Sequence, residues 1–179
     1  MAEIAGLTLI TPSSVAGSGV SLSGAKVVFT AATSVSVNGV FDSTYDNYLV
    51  VFIGTVTASS YSINYRLRLS GSDVSGSNYT RQDITADGAS VSGSRSSSQT
   101  ESRFGEVATG LNSGFHAYFY GPALAQPTAT RSVTAGSISS ARIKDYASTH
   151  SLSTAYDGFS VYPNANSITG SLTIYGLSQ

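Results

Sequence analysis

The 179-residue sequence contains no cysteine and no tryptophan, and it contains only two histidines. The absence of cysteine excludes disulfide bonds and thiolate metal sites. Two histidines are too few for a histidine-rich metal centre, and we therefore predict no metal and no cofactor. Charged residues make up only 11% of the chain, whereas about 25% is usual in globular domains. Because surface helices carry many charged side chains, this composition argues against a helical fold.

Basic residues are scarce as well, and the net charge is −1. A nucleic-acid-binding surface needs clustered Lys and Arg to displace counterions, so no nucleic-acid partner is expected. No Lys or Arg precedes Lys26, and the N-terminus therefore lacks the basic segment of a signal peptide. The longest strongly apolar run, residues 49–53, is far too short to span a membrane, so membrane insertion is not expected.

Short segments rich in Val, Tyr, Ser and Thr recur along the chain, separated by Gly, Pro, Asn and Asp. This pattern is typical of strands and turns. Roughly eight to ten such segments predict an all-β fold, a β-sandwich or jelly-roll-like domain. Asn38-Gly39 predicts a hairpin after one of these strands.

Two of the predicted strands have informative patterns. NYLVVFIGTV, residues 47–56, is apolar without alternation, which is typical of a strand buried on both faces. In YRLRL the side chains alternate, so Arg66 and Arg68 share one face. We expect these two arginines to meet acidic or polar groups across the sheet or at a subunit boundary.

In the first thirty residues, short segments with apolar residues at every second position are interrupted by Pro and by Gly-Ser sequences. We interpret residues 1–30 as an extended N-terminal arm for assembly and residues 31–179 as a single β-sandwich domain. An arm of this kind can add to the sheet edge of a partner, with apolar side chains filling pockets. The predicted pocket-filling residues are Leu7, Leu9, Val20 and Leu22.

The stretch DGASVSGSRSSSQTESR, residues 87–103, is polar and rich in serine. A long segment without a hydrophobic pattern predicts an exposed loop, and long loops are often functional. The candidate loop residues are Ser94, Arg95, Ser98 and Gln99.

Few residues suggest chemistry. Asp42 and Asp46 lie close to each other before an apolar strand, where turn and capping roles are more common than a calcium or glycosidase site. His116 and His150 are each interpreted as a surface or edge histidine rather than a general base. We therefore predict no catalytic residue and no enzyme activity.

Five segments carry a resemblance to a known class of proteins. They are SVSVNGVFDSTYDNYLVVF, YRLRLSGSDVSGSNYTRQ, GFHAYFYGPALAQPTATRSVTAG, STAYDGFSVYP and ITGSLTIYGLSQ. Over about residues 30–179, the chain resembles small structural proteins of tailed bacteriophages, of the minor-tail, fibre-associated or head-surface kind. FDSTYDNYLVVF, the RLR strand and ITGSLTIYGL are the most specific parts. The resemblance carries no catalytic motif and implies a non-enzymatic virion protein present as a homotrimer or in multiple copies.

The leading hypothesis is a surface-exposed minor tail or fibre-associated protein that docks through its N-terminal arm. Its expected partners are other copies of itself and other virion proteins of the tail or the capsid, and its expected location is the virion, after assembly in the host cytoplasm. One alternative is a capsid decoration (cement) protein on the phage head.

A second alternative is a carbohydrate- or receptor-binding module that contacts a host surface glycan. It would require exposed tyrosines around a shallow groove. A third is a hydrolase, which would require His116 or His150 beside a serine, or two carboxylates in a cleft.

Overall fold

A computed structural model describes residues 6–57, 62–110, 112–137 and 141–178. These residues form sixteen β-strands and no helix. The strands are β1 (Leu7–Ile10), β2 (Ser14–Ala16), β3 (Val20–Ser23), β4 (Lys26–Ala32), β5 (Val35–Asn38), β6 (Asn47–Val56), β7 (Ser62–Leu69), β8 (Ser72–Asp73), β9 (Tyr79–Asp87), β10 (Ser90–Gln99), β11 (Ser102–Glu106), β12 (Ser113–Tyr120), β13 (Thr128–Ser137), β14 (Ala141–His150), β15 (Gly158–Pro163) and β16 (Ile168–Leu177). Within these ranges, therefore, no helix could cross a membrane.

The strands form two antiparallel sheets, which confirms the predicted all-β sandwich. Sheet A has ten strands in the order β10-β9-β14-β13-β12-β6-β16-β4-β3, with β1 also paired to β16. Sheet B has six strands in the order β11-β7-β15-β5-β2, with β8 paired to β7. The described strands outnumber the predicted eight to ten because several short or wholly exposed strands lack a hydrophobic pattern.

Aromatic side chains from both sheets build the centre of the core. The Phe104 ring of sheet B stacks on Tyr65, with centroids 4.2 Å apart, and it meets Phe119 of sheet A edge-on at 5.5 Å. Phe41, in the connection before β6, lies 5.0 Å from Phe119 and 5.7 Å from Phe159. Burying each such side chain contributes about 1.5–3 kcal/mol. This shared core holds the two sheets face to face.

The N-terminal segment is part of the sandwich. β1 pairs with β16 of sheet A, β2 with β5 of sheet B, and β3 with β4 of sheet A. The predicted boundary after residue 30 falls inside β4. Because the main chain of β1–β3 hydrogen-bonds to the chain's own sheets, the structure differs from an arm that leaves its own domain. Docking of this segment to a partner stays a prediction.

The serine-rich segment is a strand, and the predicted loop is wrong. Its four candidate residues, Ser94, Arg95, Ser98 and Gln99, all lie on β10. β9 and β10 form a hairpin in which Ser90 pairs with Asp87, and Gly88 has a φ of 57° in the two-residue turn between them. The segment lacks hydrophobic alternation because β10 lies at the edge of sheet A, where most of its side chains are exposed.

The hairpin predicted at Asn38-Gly39 is also wrong. Asn38 ends β5 in sheet B, but the next strand along the chain, β6, belongs to sheet A. Gly39 has a φ of 63°, and the Val40 N–H then bonds to the Asp157 carbonyl at 2.9 Å. The Asn-Gly pair therefore turns the chain from one sheet towards the other.

Candidate functional site

Large apolar side chains are exposed on the outer face of sheet A. Leu7 and Leu9 of β1 are 55% and 50% exposed, and Val51 and Ile53 of β6 are 41% and 53% exposed. Together with the half-buried Leu177 of β16, these residues are called the apolar outer face below. Soluble monomers rarely expose large contiguous apolar patches, and such patches commonly mark interaction sites.

Strand register brings these residues together. β16 lies between β1 and β6, so that Leu7 is opposite Leu177 and Leu9 is opposite Tyr175. On the other side of β16, Val51 is opposite Thr173. Side chains on one face of a sheet alternate along each strand. The sequences of these three strands contain no Asp, Glu, Lys or Arg, so their outward-facing residues are all uncharged.

In the single chain, β6 is fully buried on one face, whereas on the other face Leu49 is only 9% exposed but Val51 and Ile53 are not buried. Its inward side chains, including Val50 and Phe52, are 0% and 2% exposed, and they pack in the core. Its outward side chains Val51 and Ile53 face solvent, so the prediction that both faces are buried is wrong for the isolated chain. The lack of alternation in the sequence predicts cover on both faces, and the single chain leaves Val51 and Ile53 on the outer face partly exposed.

The four predicted arm residues divide into two sets. Leu7 and Leu9 belong to the apolar outer face. Val20 is half-buried against the core, and Leu22 is 38% exposed on β3 at the opposite edge of the sheet from β10. The structure therefore does not bring all four residues into one surface. Sequence reasoning missed Val51 and Ile53, which complete the surface around Leu7 and Leu9.

The outer face of sheet B carries the two arginines of β7, and both are paired within the chain. Arg68, only 8% exposed, donates to the Asn38 side-chain oxygen at 2.9 Å and to the hydroxyls of Ser160 and Ser36 at 2.9 and 3.1 Å. It also forms an ion pair with Asp73. The expectation that this arginine meets acidic and polar groups is confirmed.

The second arginine of the same strand is held in a similar way. Arg66 donates to Glu101 at 3.2 Å, and its guanidinium lies 5.2 Å from the centre of the Tyr162 ring. The Tyr162 hydroxyl donates to the same carboxylate at 2.7 Å, and burial raises the pKa of this hydroxyl above its usual value. Because these partners satisfy one another, the outer face of sheet B is a less suitable assembly surface than the apolar outer face.

Asp42 forms a turn. Its carboxylate accepts a hydrogen bond from the Thr44 N–H at 2.8 Å, while the Tyr48 hydroxyl bridges the Asp42 N–H and carbonyl at 2.8 Å each. The turn interpretation is therefore confirmed for Asp42. The Asp46 carbonyl accepts from the Gly121 N–H at 2.8 Å. In the part of the chain that the structure describes, no group of three or more His, Asp or Glu residues could hold a metal ion.

The two histidines lie in different environments. His116 is exposed on β12, and its ring lies 6.0 Å from that of Tyr118. His150 is 2% exposed, so the prediction of a surface or edge position is wrong for it. Its Nδ1 is 2.8 Å from the Tyr156 hydroxyl, and burial lowers its pKa. The surface position predicted for His116 is confirmed, and both histidine rings lie beside tyrosine rings.

Comparison with known proteins leaves the family open. No protein-family model matches the sequence, and no curated protein matches it. Among solved structures, a protein of unknown function from Shewanella oneidensis MR-1 is similar, with 10% sequence identity and a TM-score of 0.31. The match covers 96% of this chain and 79% of that protein. A likeness at this level supports no conclusion about the fold or the function of the present chain.

Proposed function

We propose that the protein is a non-enzymatic structural component of a tailed-phage particle, and that it assembles through the apolar outer face, which a second copy of the chain covers. The phage context is proposed from the resemblance of residues 30–179 to small virion proteins. Assembly is proposed from the surface itself.

One observation carries the assembly proposal. The sequence of β6 has the composition of a strand that is buried on both faces, but in the single chain the face opposite Val50 and Phe52 leaves Val51 and Ile53 41% and 53% exposed. The single chain therefore leaves a large part of these two apolar side chains in water. Covering them removes apolar surface from water, which stabilises an assembly by about 25 cal/mol per Å² of that surface.

The chemistry of the surface favours a second copy as the partner. The outward residues of β1, β6 and β16 carry no charge, so the surface offers no ionic group by which a charged partner would be selected. Homo-oligomer interfaces are more apolar than transient ones and resemble a core cut in two. The homotrimer implied by the resemblance is one such assembly.

Sedimentation equilibrium tests this step. We expect the wild-type protein to form an oligomer whose dissociation depends on concentration, and Ile53→Asp or Leu9→Asp to shift it towards the monomer. Each substitution places a charge in the interface while leaving the inward core residues unchanged. Leu152→Asp is the matched control, because Leu152 is 43% exposed and lies outside both sheets. A wild-type monomer at all concentrations, or oligomers unaffected by both substitutions, would contradict the proposal.

Labelling of particles separates the two virion locations. Gold-labelled antibodies raised against the recombinant protein should decorate purified particles of a phage that encodes this chain. Decoration of the tail or fibres supports the leading location, and decoration of the head supports a capsid decoration protein. If neither is labelled and the protein is absent from the particles by mass spectrometry, the virion role is wrong.

A further inference from the structure

A second feature of sheet A lies on the same outer face but on other strands. It is an open groove of about 460 Å³ that runs over β12, β13, β14, β9 and β10. Its floor includes Ala129 of β13 and Ala147 of β14. Because these two alanines are small while Tyr120, Arg131 and Gln82 around them are larger, the sheet surface forms a trough. Four strand spacings separate β12 from β10, which corresponds to about 19 Å.

One side of the trough has an aromatic platform. Tyr120, at the end of β12, lines the groove and is 41% exposed. Its ring lies nearly parallel to that of Tyr118, with centroids 6.2 Å apart and an interplanar angle of 14°. Packing against Tyr118 restricts rotation of the Tyr120 side chain. A ligand that contacts the apolar face of Tyr120 therefore causes little further loss of side-chain entropy.

Two arginines line the groove from opposite sides, and their partners differ. Arg131 of β13 is held by Asp145, to which it donates three hydrogen bonds of 2.6, 3.2 and 3.2 Å. Arg95 of β10 is exposed and has no ion pair or hydrogen bond among the described residues. None of the lining residues carries a carboxylate. The groove therefore holds one fixed and one uncompensated guanidinium.

The remaining lining groups are neutral hydrogen-bonding groups. Gln82 of β9 lies between Ala147 and Arg95 in the register of the sheet, and the hydroxyls of Thr80 and Thr149 line the next row. Amides and hydroxyls can each donate and accept hydrogen bonds. A ligand that suits this set has several hydroxyl groups, one apolar ring face and one negative charge.

We propose that this groove binds an acidic saccharide, with Tyr120 against the sugar ring, Arg95 on the carboxylate, and Arg131, Gln82 and the threonines on the hydroxyls. A guanidinium recognises a carboxylate through paired, charge-assisted hydrogen bonds. A nucleic acid would need a broad basic surface, whereas the groove has two arginines and the chain has a net charge of −1. This proposal goes beyond the assembly role and does not depend on a virion location.

Calorimetric titration with matched sugars tests the proposal. The probes are trigalacturonate and its fully methyl-esterified form, together with 3′-sialyllactose and lactose, each titrated to about 10 mM. We expect at least one acidic probe to bind roughly tenfold or more tightly than its neutral counterpart, which is the effect of one charge-assisted pair. No binding of either acidic probe, or equal binding of both members of each pair, would overturn the proposal.

Variants then assign the residues. Arg95→Gln should abolish the preference for the acidic probe, and Tyr120→Ala should weaken both members of a pair, again by roughly tenfold. Lys26→Gln is the matched control for Arg95→Gln, because Lys26 is exposed near the opposite edge of sheet A and does not line the groove. Unchanged binding in Arg95→Gln would refute the role of that residue.

A measurement on the wild-type protein avoids dependence on the folding of any variant. In an amide-proton NMR titration with the acidic probe, shifts should be confined to the groove, at residues such as Gln82, Arg95 and Ala147. Shifts confined to sheet B or to the apolar outer face would overturn the assignment of the site. Because oligomer formation is measured separately, failure of the saccharide proposal and failure of the assembly proposal give different results.

Discussion

Acid should destabilise the protein through His150. This residue ends β14, opposite Tyr79 of β9, and its ring lies 4.5 Å from the Tyr79 ring and 5.3 Å from the Tyr156 ring. Its Nδ1 is bonded to the Tyr156 hydroxyl, but its Nε2 is buried without a hydrogen-bond partner among the described residues. A protonated imidazole would carry a second N–H into this enclosed position, and burial accordingly lowers the pKa of His150.

The sign and the size of the effect follow from proton linkage. The folded-state pKa lies below the unfolded value of about 6.5, so the unfolded chain binds more protons as the pH falls. Above about pH 6.5, His150 is neutral in both states and does not lower the free energy of unfolding. As the pH falls from there towards the folded-state pKa, the unfolded chain takes up the proton first, and the free energy of unfolding decreases. Between about pH 7.5 and 5.5, this residue should remove up to about 1.4 kcal/mol from the free energy of unfolding.

Urea unfolding monitored by tyrosine fluorescence measures this loss, because the chain has eleven tyrosines and no tryptophan. The wild-type protein should lose more stability between these two pH values than His150→Gln does, by up to about 1.4 kcal/mol. His116→Gln is the control, since His116 is exposed, and it should follow the wild-type pH dependence. The same pH dependence in the wild-type protein and in His150→Gln would refute the reasoning.

Three further substitutions test other parts of the structure. Asp73→Asn removes the charge beside the buried Arg68 and should lower the free energy of unfolding in urea by about 2 kcal/mol. The loss is smaller than for a fully buried pair because Asp73 is 29% exposed. A loss near zero would mean that the neutral partners of Arg68 are sufficient to stabilise it. Tyr48→Phe removes the hydroxyl that bridges the Asp42 N–H and carbonyl. Burial raises the pKa of this hydroxyl to about 12. Thermal unfolding should show that stability falls by about 1–2 kcal/mol, and an unchanged midpoint would contradict the role of the bridge. Gly88→Ala places a side chain at a φ of 57° in open space, so backbone strain alone should cost about 1 kcal/mol and increase hydrogen exchange in β10; unaltered exchange would show that the turn does not hold the hairpin.

The sequence patterns identified the strands that fold against the core. NYLVVFIGTV coincides with β6, and the alternation in YRLRL places Tyr65 and Leu67 in the core while Arg66 and Arg68 lie on the outer face. The prediction for YRLRL succeeds because burial of one sheet face imposes a period of two on the side chains, and the prediction for β6 succeeds because a continuous apolar run bounded by turn residues is typical of a strand. β10 has no such constraint, since most of its side chains are exposed to solvent.

Sheet membership was less predictable than strand position. Asn38-Gly39 has the local chemistry of a hairpin, but β5 pairs with β15 and β2, which lie far from it along the sequence. Likewise, the Pro and Gly-Ser residues before residue 24 separate three short strands, β1 to β3, which alternate between the two sheets. Such long-range pairing depends on which faces need cover, and a local pattern of residues carries little information about it.

The candidate surface was partly accessible from sequence. The spacing of Leu7 and Leu9 predicts assembly residues, whereas the uninterrupted apolar sequence of β6 predicts that Val51 and Ile53 are buried. A pattern of this kind predicts cover on both faces, but it does not indicate whether the cover comes from the same chain. Arg95 and Tyr120 lie on strands far apart in the sequence, and only the register of sheet A brings them to one groove.

The most direct test of the assembly account is the copy number of this protein in particles that carry Ile53→Asp. Quantitative mass spectrometry of purified particles should show loss of the variant protein relative to the wild type, while the folded variant accumulates in the lysate of the infected cells. Leu152→Asp particles, analysed in parallel, should keep the wild-type copy number. Wild-type occupancy of the Ile53→Asp protein would contradict assembly through the apolar outer face.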